Sequence, residues 1–216
     1  MAMDEEVPKS AAAAEPEKQA RSHAVRRDEA EGRLLKAAAR LVAERGLDGL
    51  TLAEVGEAAG YSRGLPRHYF GKKNDLIAAL AGFIVDSFAQ NLAKASPREP
   101  GMESLLFAAE SYFDGAGQGS RALLVAIIES LREPALQPAM SAVTDRSVRR
   151  IASNIRQGIK LGNIRSDIDV QAQAQLVLAT LRMAVMQWLI DPDSMEIGAL
   201  RDAFTANLRR ALAPPA

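Results

Sequence analysis

From Leu34 to Leu212 the apolar residues return at every third or fourth position, and nowhere do they alternate with polar ones over the length of a strand. A helix turns once in 3.6 residues, so this spacing lines one helical face, whereas a half-buried strand needs a period of two. The chain is therefore expected to be all-α. Leu34, Ala38, Leu41 and Val42 set a first helix over about residues 28–44, ended at Gly46. Leu76, Leu80, Ile84, Phe88 and Leu92 mark a fourth helix that stops before Ser96-Pro97, where a loop runs to Gly101. Helices over about 102–113 and 120–131 follow, and Pro134 and Pro138 bound the next turn. Val148, Ile151, Ile155 and Ile159 stripe a long seventh helix. Val170, Val177, Leu181, Val185 and Trp188 stripe an eighth that opens near Asp169, and Ile197, Leu200, Phe204, Leu208 and Leu212 stripe a ninth over about 194–212. With two short helices between the first and the fourth, the total is about nine.

Those two short helices lie in residues 51–73, the segment densest in start and stop signals. Thr51 followed by Glu54 forms a capping box, so a helix begins at Leu52. Gly60 ends it after little more than two turns by supplying a left-handed position. Ser62 is expected to cap the next helix, with Pro66 tolerated in or just after its first turn. Two short helices joined by a tight glycine turn form a helix-turn-helix, whose second helix fits a DNA major groove about 12 Å wide. On that reading Arg63 donates to guanine, Gly64 permits close approach and Leu65 meets a thymine methyl. Thr51, Arg67, His68, Tyr69 and Lys73 supply phosphate donors, which position without specifying. Val55, Ala58, Ala59, Phe70 and Leu76 are expected to be core.

Charge agrees with this placement. The chain carries 27 basic and 27 acidic residues, yet Arg21 to Lys73 holds eleven basic against seven acidic ones. A locally basic end on a neutral chain suits an anionic partner. Residues 1–25 mix alanine, charge and proline without an apolar period and are expected to form a disordered arm. Arg21 in this arm, and Arg26 and Arg27 just after it, are either solvated or reach the DNA backbone or minor groove.

At residues 28–80 the sequence resembles the TetR family of bacterial regulators. Thr51, Val55, Ala59, Gly60, Ser62, Gly64, Tyr69, Phe70, Lys73 and Leu76 carry the resemblance, preceded by Gly46-Leu47-Asp48-Gly49-Leu50. It departs at Gly56, where the family has alanine, and at Tyr61, where it has valine. Pro66 replaces an apolar residue, and Arg67 replaces a tyrosine that contacts phosphate in the family. The resemblance implies an N-terminal three-helix DNA-binding domain (residues 26–73) and a C-terminal helical ligand-binding and dimerisation domain (residues 74–216). It also implies a homodimer through the last two helices (about 169–190 and 194–212), which are long, apolar and adjacent. Helices four to seven would enclose a small, largely apolar effector. Phe83, Phe107, Tyr112, Phe113, Met183 and Met186 are the candidate pocket residues, with packed core as the competing reading of each.

The function expected is a repressor that binds a palindromic double-stranded DNA operator and is released by its effector. The alternatives are a ligand-independent regulator or activator with the same DNA-binding half, or a helical interaction protein or enzyme. Enzymatic chemistry finds little footing. There are no cysteines and only two histidines, His23 and His68, which excludes thiolate sites and leaves no triad. Glycines 115, 117 and 119 follow a helix and lack the lysine of a phosphate loop, so they read as an interhelical turn. Asp167 and Asp169 read as helix-start residues, and Glu129 and Glu133 make no catalytic pair with them. No catalytic residue, metal or cofactor is expected. With no secretory leader and no apolar run near the ~20 residues a bilayer requires, a cytoplasmic location without membrane contact is expected.

Overall fold

A computed structural model describes residues 14–95 and 99–215, with side chains from residue 25 onward. Among these residues the chain forms nine α-helices, one 3-10 turn and no strand. They are α1 (Ala14–Arg45), α2 (Leu52–Ala58), α3 (Leu65–Phe70), α4 (Lys73–Lys94), α5 (Met102–Asp114), α6 (Gln118–Glu129), the 3-10 turn Pro134–Leu136, α7 (Gln137–Lys160), α8 (Val170–Ile190) and α9 (Ile197–Leu212).

Two helices start earlier than the apolar stripes imply. α1 reaches back to Ala14, through residues expected to be a disordered arm; residues 1–13 of that arm lie outside the described residues. The stretch 14–27 is rich in alanine, glutamate, lysine and arginine, all strong helix formers. Low hydrophobicity denies it a core, but extending a helix already nucleated by packing costs little. α7 begins at Gln137, well before Val148, with Pro138 inside its first turn rather than bounding a loop.

Two cores hold the helices. One joins Leu34, Ala38 and Val42 of α1, Val55 and Phe70 of the helix-turn-helix, and Leu76, Ile77 and Leu80 of α4. It continues through Leu123 and Ala126 of α6 to Met140 and Val143 of α7. The other joins Leu105, Ala109 and Phe113 of α5, Ala152 and Ile155 of α7, Val177, Leu181 and Val185 of α8, and Leu208 and Leu212 of α9. The N-terminal three helices thus share a core with the body and are not merely tethered to it.

By length and composition α4 is apolar enough to cross a membrane, contrary to the expectation that no helix would be. The fold explains why. Leu76, Ile77, Leu80 and Ala81 lie in the first core, while Phe83, Ile84, Phe88 and Leu92 line a cavity. Both faces are therefore apolar for reasons internal to the protein.

Candidate nucleic-acid interface and internal cavity

Thr51 and Glu54 form the expected capping box. The Thr51 hydroxyl accepts from the Glu54 amide at 3.2 Å, and the Glu54 carboxylate accepts from the Thr51 amide at 3.0 Å and from its hydroxyl at 2.9 Å. These bonds, the hydroxyl's first, hold the Glu54 carboxyl below the usual carboxylate range. A depressed folded value stabilises at neutral pH, and the benefit is lost as pH falls through the carboxylate range. Thr51→Ala is expected to cost about 1 kcal/mol and to lower Tm by about 2–4 °C. An NMR titration should then find Glu54 back near its ordinary pKa; an unmoved Glu54 would contradict the box.

The far end of α2 is closed by α1. The Arg40 guanidinium donates to the Ala58 carbonyl at 3.2 Å, and the Arg33 guanidinium lies 5.1 Å from the centre of the Tyr61 ring. Gly60 holds φ +77°, the left-handed position expected of it. The turn then differs from expectation. Ser62 is not the N-cap of α3; Gly64 is, without a side-chain cap, and Pro66 lies in the first turn. Proline at that position is preorganised for helix and sacrifices no paired amide.

Pro66 is buried, and what it packs on is Gly56. A Cβ at residue 56 would stand 2.5 Å from the Ser62 carbonyl oxygen, 3.1 Å from Pro66 Cδ and 3.3 Å from Arg63 Cα. Two of the four departures from the family pattern, Gly56 and Pro66, are thus one feature: α3 sits so close to α2 that only glycine fits between them.

Of the residues expected at DNA, Arg63, Gly64, Arg67 and His68 share the exposed side of the turn and α3. Arg63 pairs with Glu57 at 3.2 Å with its side chain 73% exposed, a surface contact of about 0–1 kcal/mol that another anion readily displaces. Thr51 is exposed but engaged in its cap. Leu65 is half-buried against the first core, so its methyls are partly withdrawn from the surface. Tyr69 is half-buried too; its hydroxyl donates to the Arg27 carbonyl at 3.4 Å, and the Arg27 guanidinium lies 5.8 Å from its ring centre. That contact brings exposed Arg26 and Arg27 of α1 beside α3, whereas the side chain of Arg21 lies outside the described residues. The Lys73 ammonium donates to the Leu47 carbonyl, tying α4 to the loop after α1. Its neighbour Lys72 is exposed, a cation that sequence reasoning passed over in favour of Lys73.

The cavity has a volume of about 800 Å³ and lies among α4, α5, α6, α7 and α8, with Lys36 and Ala39 of α1 also on its wall. Phe83, Phe107 and Tyr112 line it as expected. Phe113, Met183 and Met186 do not. Phe113 is 1% exposed in the second core, where its ring centre lies 5.6 Å from that of Phe204. Met186 packs against the same core, and Met183 is 50% exposed on the outside of α8. Apolar residue type signals burial, a cavity wall or an interface alike, which is why the sequence could not sort these six. The turn at Gly115 to Gly119, expected only as a connection, contributes Gly115, Gln118 and Gly119 to the wall. Arg182 and Arg150 also line the cavity and had no place in the expectation. Asp169 caps α8 as expected, accepting from Gln171 N at 2.8 Å and Ala172 N at 3.0 Å. Asp167 instead pairs with Arg165 at 2.7 Å, which lowers its carboxyl to about 2.

The chain is similar to known proteins in sequence and in fold. The sequence profile of the bacterial regulatory proteins of the tetR family matches residues 34–80, from α1 to the first turns of α4. The transcriptional regulator CymR of Pseudomonas putida is 27% identical over 188 residues, covering 85% of this chain and 91% of its own length. The transcriptional repressor KstR2 of Rhodococcus jostii is 27% identical over 205 residues, covering 84% and 90%. In fold, the crystal structure of a TetR-family regulator from a Rhodococcus species superposes with a TM-score of 0.76 at 23% identity, covering 84% of this chain and 97% of its own. The short helices with their capping box and glycine turn lie in the segment, residues 34–80, that carries the sequence pattern of the tetR family of bacterial regulatory proteins, and the all-helical body has the fold of a TetR-family regulator.

Proposed function

We propose that this regulator is a repressor that binds a palindromic operator as a homodimer and releases it when a small, largely apolar molecule fills the cavity. The observation that carries the reading is α4. One stretch of it lines the cavity through Phe83, Ile84, Phe88 and Leu92; the stretch before lies in the core that seats Val55 and Phe70 of the helix-turn-helix. A ligand that displaces the cavity stretch therefore moves the base of α3 with it. In a dimer that motion changes the spacing of the two recognition helices, and a ligand favouring one spacing weakens operator binding by linkage.

The dimer face is assigned to α8 and α9. Leu176, Met183 and Ile190 are exposed on α8 at seven-residue intervals, two turns apart and so on one side. On α9 the exposed Ala199, Ala203 and Ala206 allow a second helix to approach closely. An unpartnered apolar stripe beside a small-residue helix suits a four-helix interface between two copies.

Gel mobility shift on the DNA upstream of its own coding region tests the DNA half. Arg63→Ala is expected to relax specificity by about 1 kcal/mol or more at one base position. Lys72→Ala is expected to weaken all sequences alike and reduce the salt slope by about one. Wild-type protein with no salt-dependent preference for any site would sink the operator reading. Working on DNA, the regulator would act in the bacterial cytoplasm.

A further inference from the structure

The cavity wall is mostly apolar, built from Phe83, Phe88, Phe107, Leu178 and their neighbours, but its polar groups are not evenly balanced. Lys36, Arg150 and Arg182 line it, and no aspartate or glutamate does, although the chain has equal numbers of both signs. Arg150 is answered by Asp86 at 3.8 Å. Arg182 is not answered by any acid. Its Nη1 donates to the Thr144 hydroxyl at 3.0 Å, while Nε and Nη2 are buried without a partner. The Tyr112 hydroxyl, also on the wall, is buried without a partner as well.

Buried polar groups in folded proteins are nearly always hydrogen-bonded, so three unpaired donors on residues of one cavity wall call for an acceptor, which a turn of either side chain toward the cavity would bring within reach. Their identity narrows it further. Nε and Nη2 are the two donors along one edge of a guanidinium, the edge that grips both oxygens of a carboxylate in parallel bonds. Burial pulls Arg182 down and pushes Tyr112 up, and each group's charge opposes the other's shift. Both residues line the same cavity, and the Tyr112 hydroxyl keeps its proton to donate. The Tyr112 ring is fixed edge-on against Phe88 with centres 5.8 Å apart, which aims the hydroxyl from a rigid aromatic wall.

We infer that the effector is an amphipathic carboxylate, its head held by the Nε–Nη2 edge of Arg182 and the Tyr112 hydroxyl and its apolar body against Phe83, Phe88 and Phe107. This rests on the effector reading above and goes beyond it by giving the molecule a charge and an orientation. A cation is rejected by the unanswered charge of Arg182, and a plain hydrocarbon leaves the buried donors unpaired. Arg182 and Tyr112 belong to α8 and α5, so the head group would bridge two helices of the second core while the body presses on α4.

The test is isothermal titration of the full chain with two matched series: 4-phenylbutyrate, 4-phenylbutanol and 4-phenylbutylamine, then decanoate, decanol and decylamine. In at least one series the acid is expected to bind about tenfold or more tightly than the alcohol, the difference one charge-assisted pair supplies, and the amine weakest. Arg182→Met should bring the acid-to-alcohol ratio to about one, and Tyr112→Phe should lower it several-fold. Should Arg182→Met fail to fold, Arg182→Lys keeps the charge, removes the planar edge and should lower the ratio too. Alcohols or amines that bind as tightly as the acids would overturn the inference while leaving an effector site in place. So would an acid preference that survives Arg182→Met. Binding by no member of either series would overturn both this inference and the effector reading beneath it.

Discussion

Met183→Glu is expected to leave the protomer folded, abolish the dimer at micromolar concentration and weaken operator binding by about a hundredfold or more. The side chain is half exposed on the protomer, between Leu176 and Ile190 on the outside of α8, so a carboxylate there keeps its water and costs the protomer little. In a dimer across α8 and α9 the same carboxylate would be buried facing its own copy, with no opposite charge to answer it. The operator penalty follows from avidity: two linked half-site contacts exceed one by about two to four orders of magnitude without any new contact. Light scattering reads the dimer, and mobility shift reads the DNA. A variant that stays dimeric and holds its operator would show that this stripe is not the interface. Because Met183 does not line the cavity, effector binding by the protomer should survive the substitution.

Gly56→Ala should destabilise the protein and misplace α3 at once. Alanine gains about 1 kcal/mol over glycine in a helix interior, so on propensity alone the change would help. The space decides otherwise. The added methyl would lie 2.5 Å from the Ser62 carbonyl oxygen, a backbone atom that moves only if the turn moves. Overpacking of that kind costs about 1–3 kcal/mol, and relieving it swings Arg63 and Gly64, the residues offered to the bases, away from α2. A fall in operator affinity of about tenfold is expected, with Tm lower rather than higher. Pro66→Ala added to Gly56→Ala should recover part of the loss, because Pro66 Cδ is the second atom in the way. Strict additivity of the two substitutions would mean that they are not coupled, and a Tm raised by Gly56→Ala would refute the close approach altogether.

What was legible in the sequence was local. The capping box at Thr51 and Glu54, the left-handed Gly60, the Asp169 cap of α8 and the apolar stripes of α4, α7, α8 and α9 each depend on residues a few positions apart. A hydrogen bond between neighbours in sequence forms wherever the helix forms, so spacing suffices to find it. The start of α3 was not local. Ser62 is a good cap by type, yet its backbone is committed to the close packing against Gly56, and the helix opens two residues later at Gly64. The start of α1 was missed for a related reason, since composition judged whether residues 14–25 could bury a core and not whether a packed helix could extend through them.

The sequence by itself determined that this protein is helical, that its N-terminal helices include a helix-turn-helix, and which family it resembles. The tertiary structure decided what each apolar or charged side chain is for. Phe107, Phe113 and Met183 are chemically alike, and packing alone makes the first a cavity wall, the second core and the third an open face. Arg182 is the only charged residue between Val170 and Ile190, a lone signal in an apolar helix that spacing could not interpret. A charge on a helix is solvated unless other helices close over it. Here α5 and α7 bring Tyr112 and Thr144 to it across gaps of 70 and 38 residues, and no local pattern encodes an approach between positions so far apart in the chain.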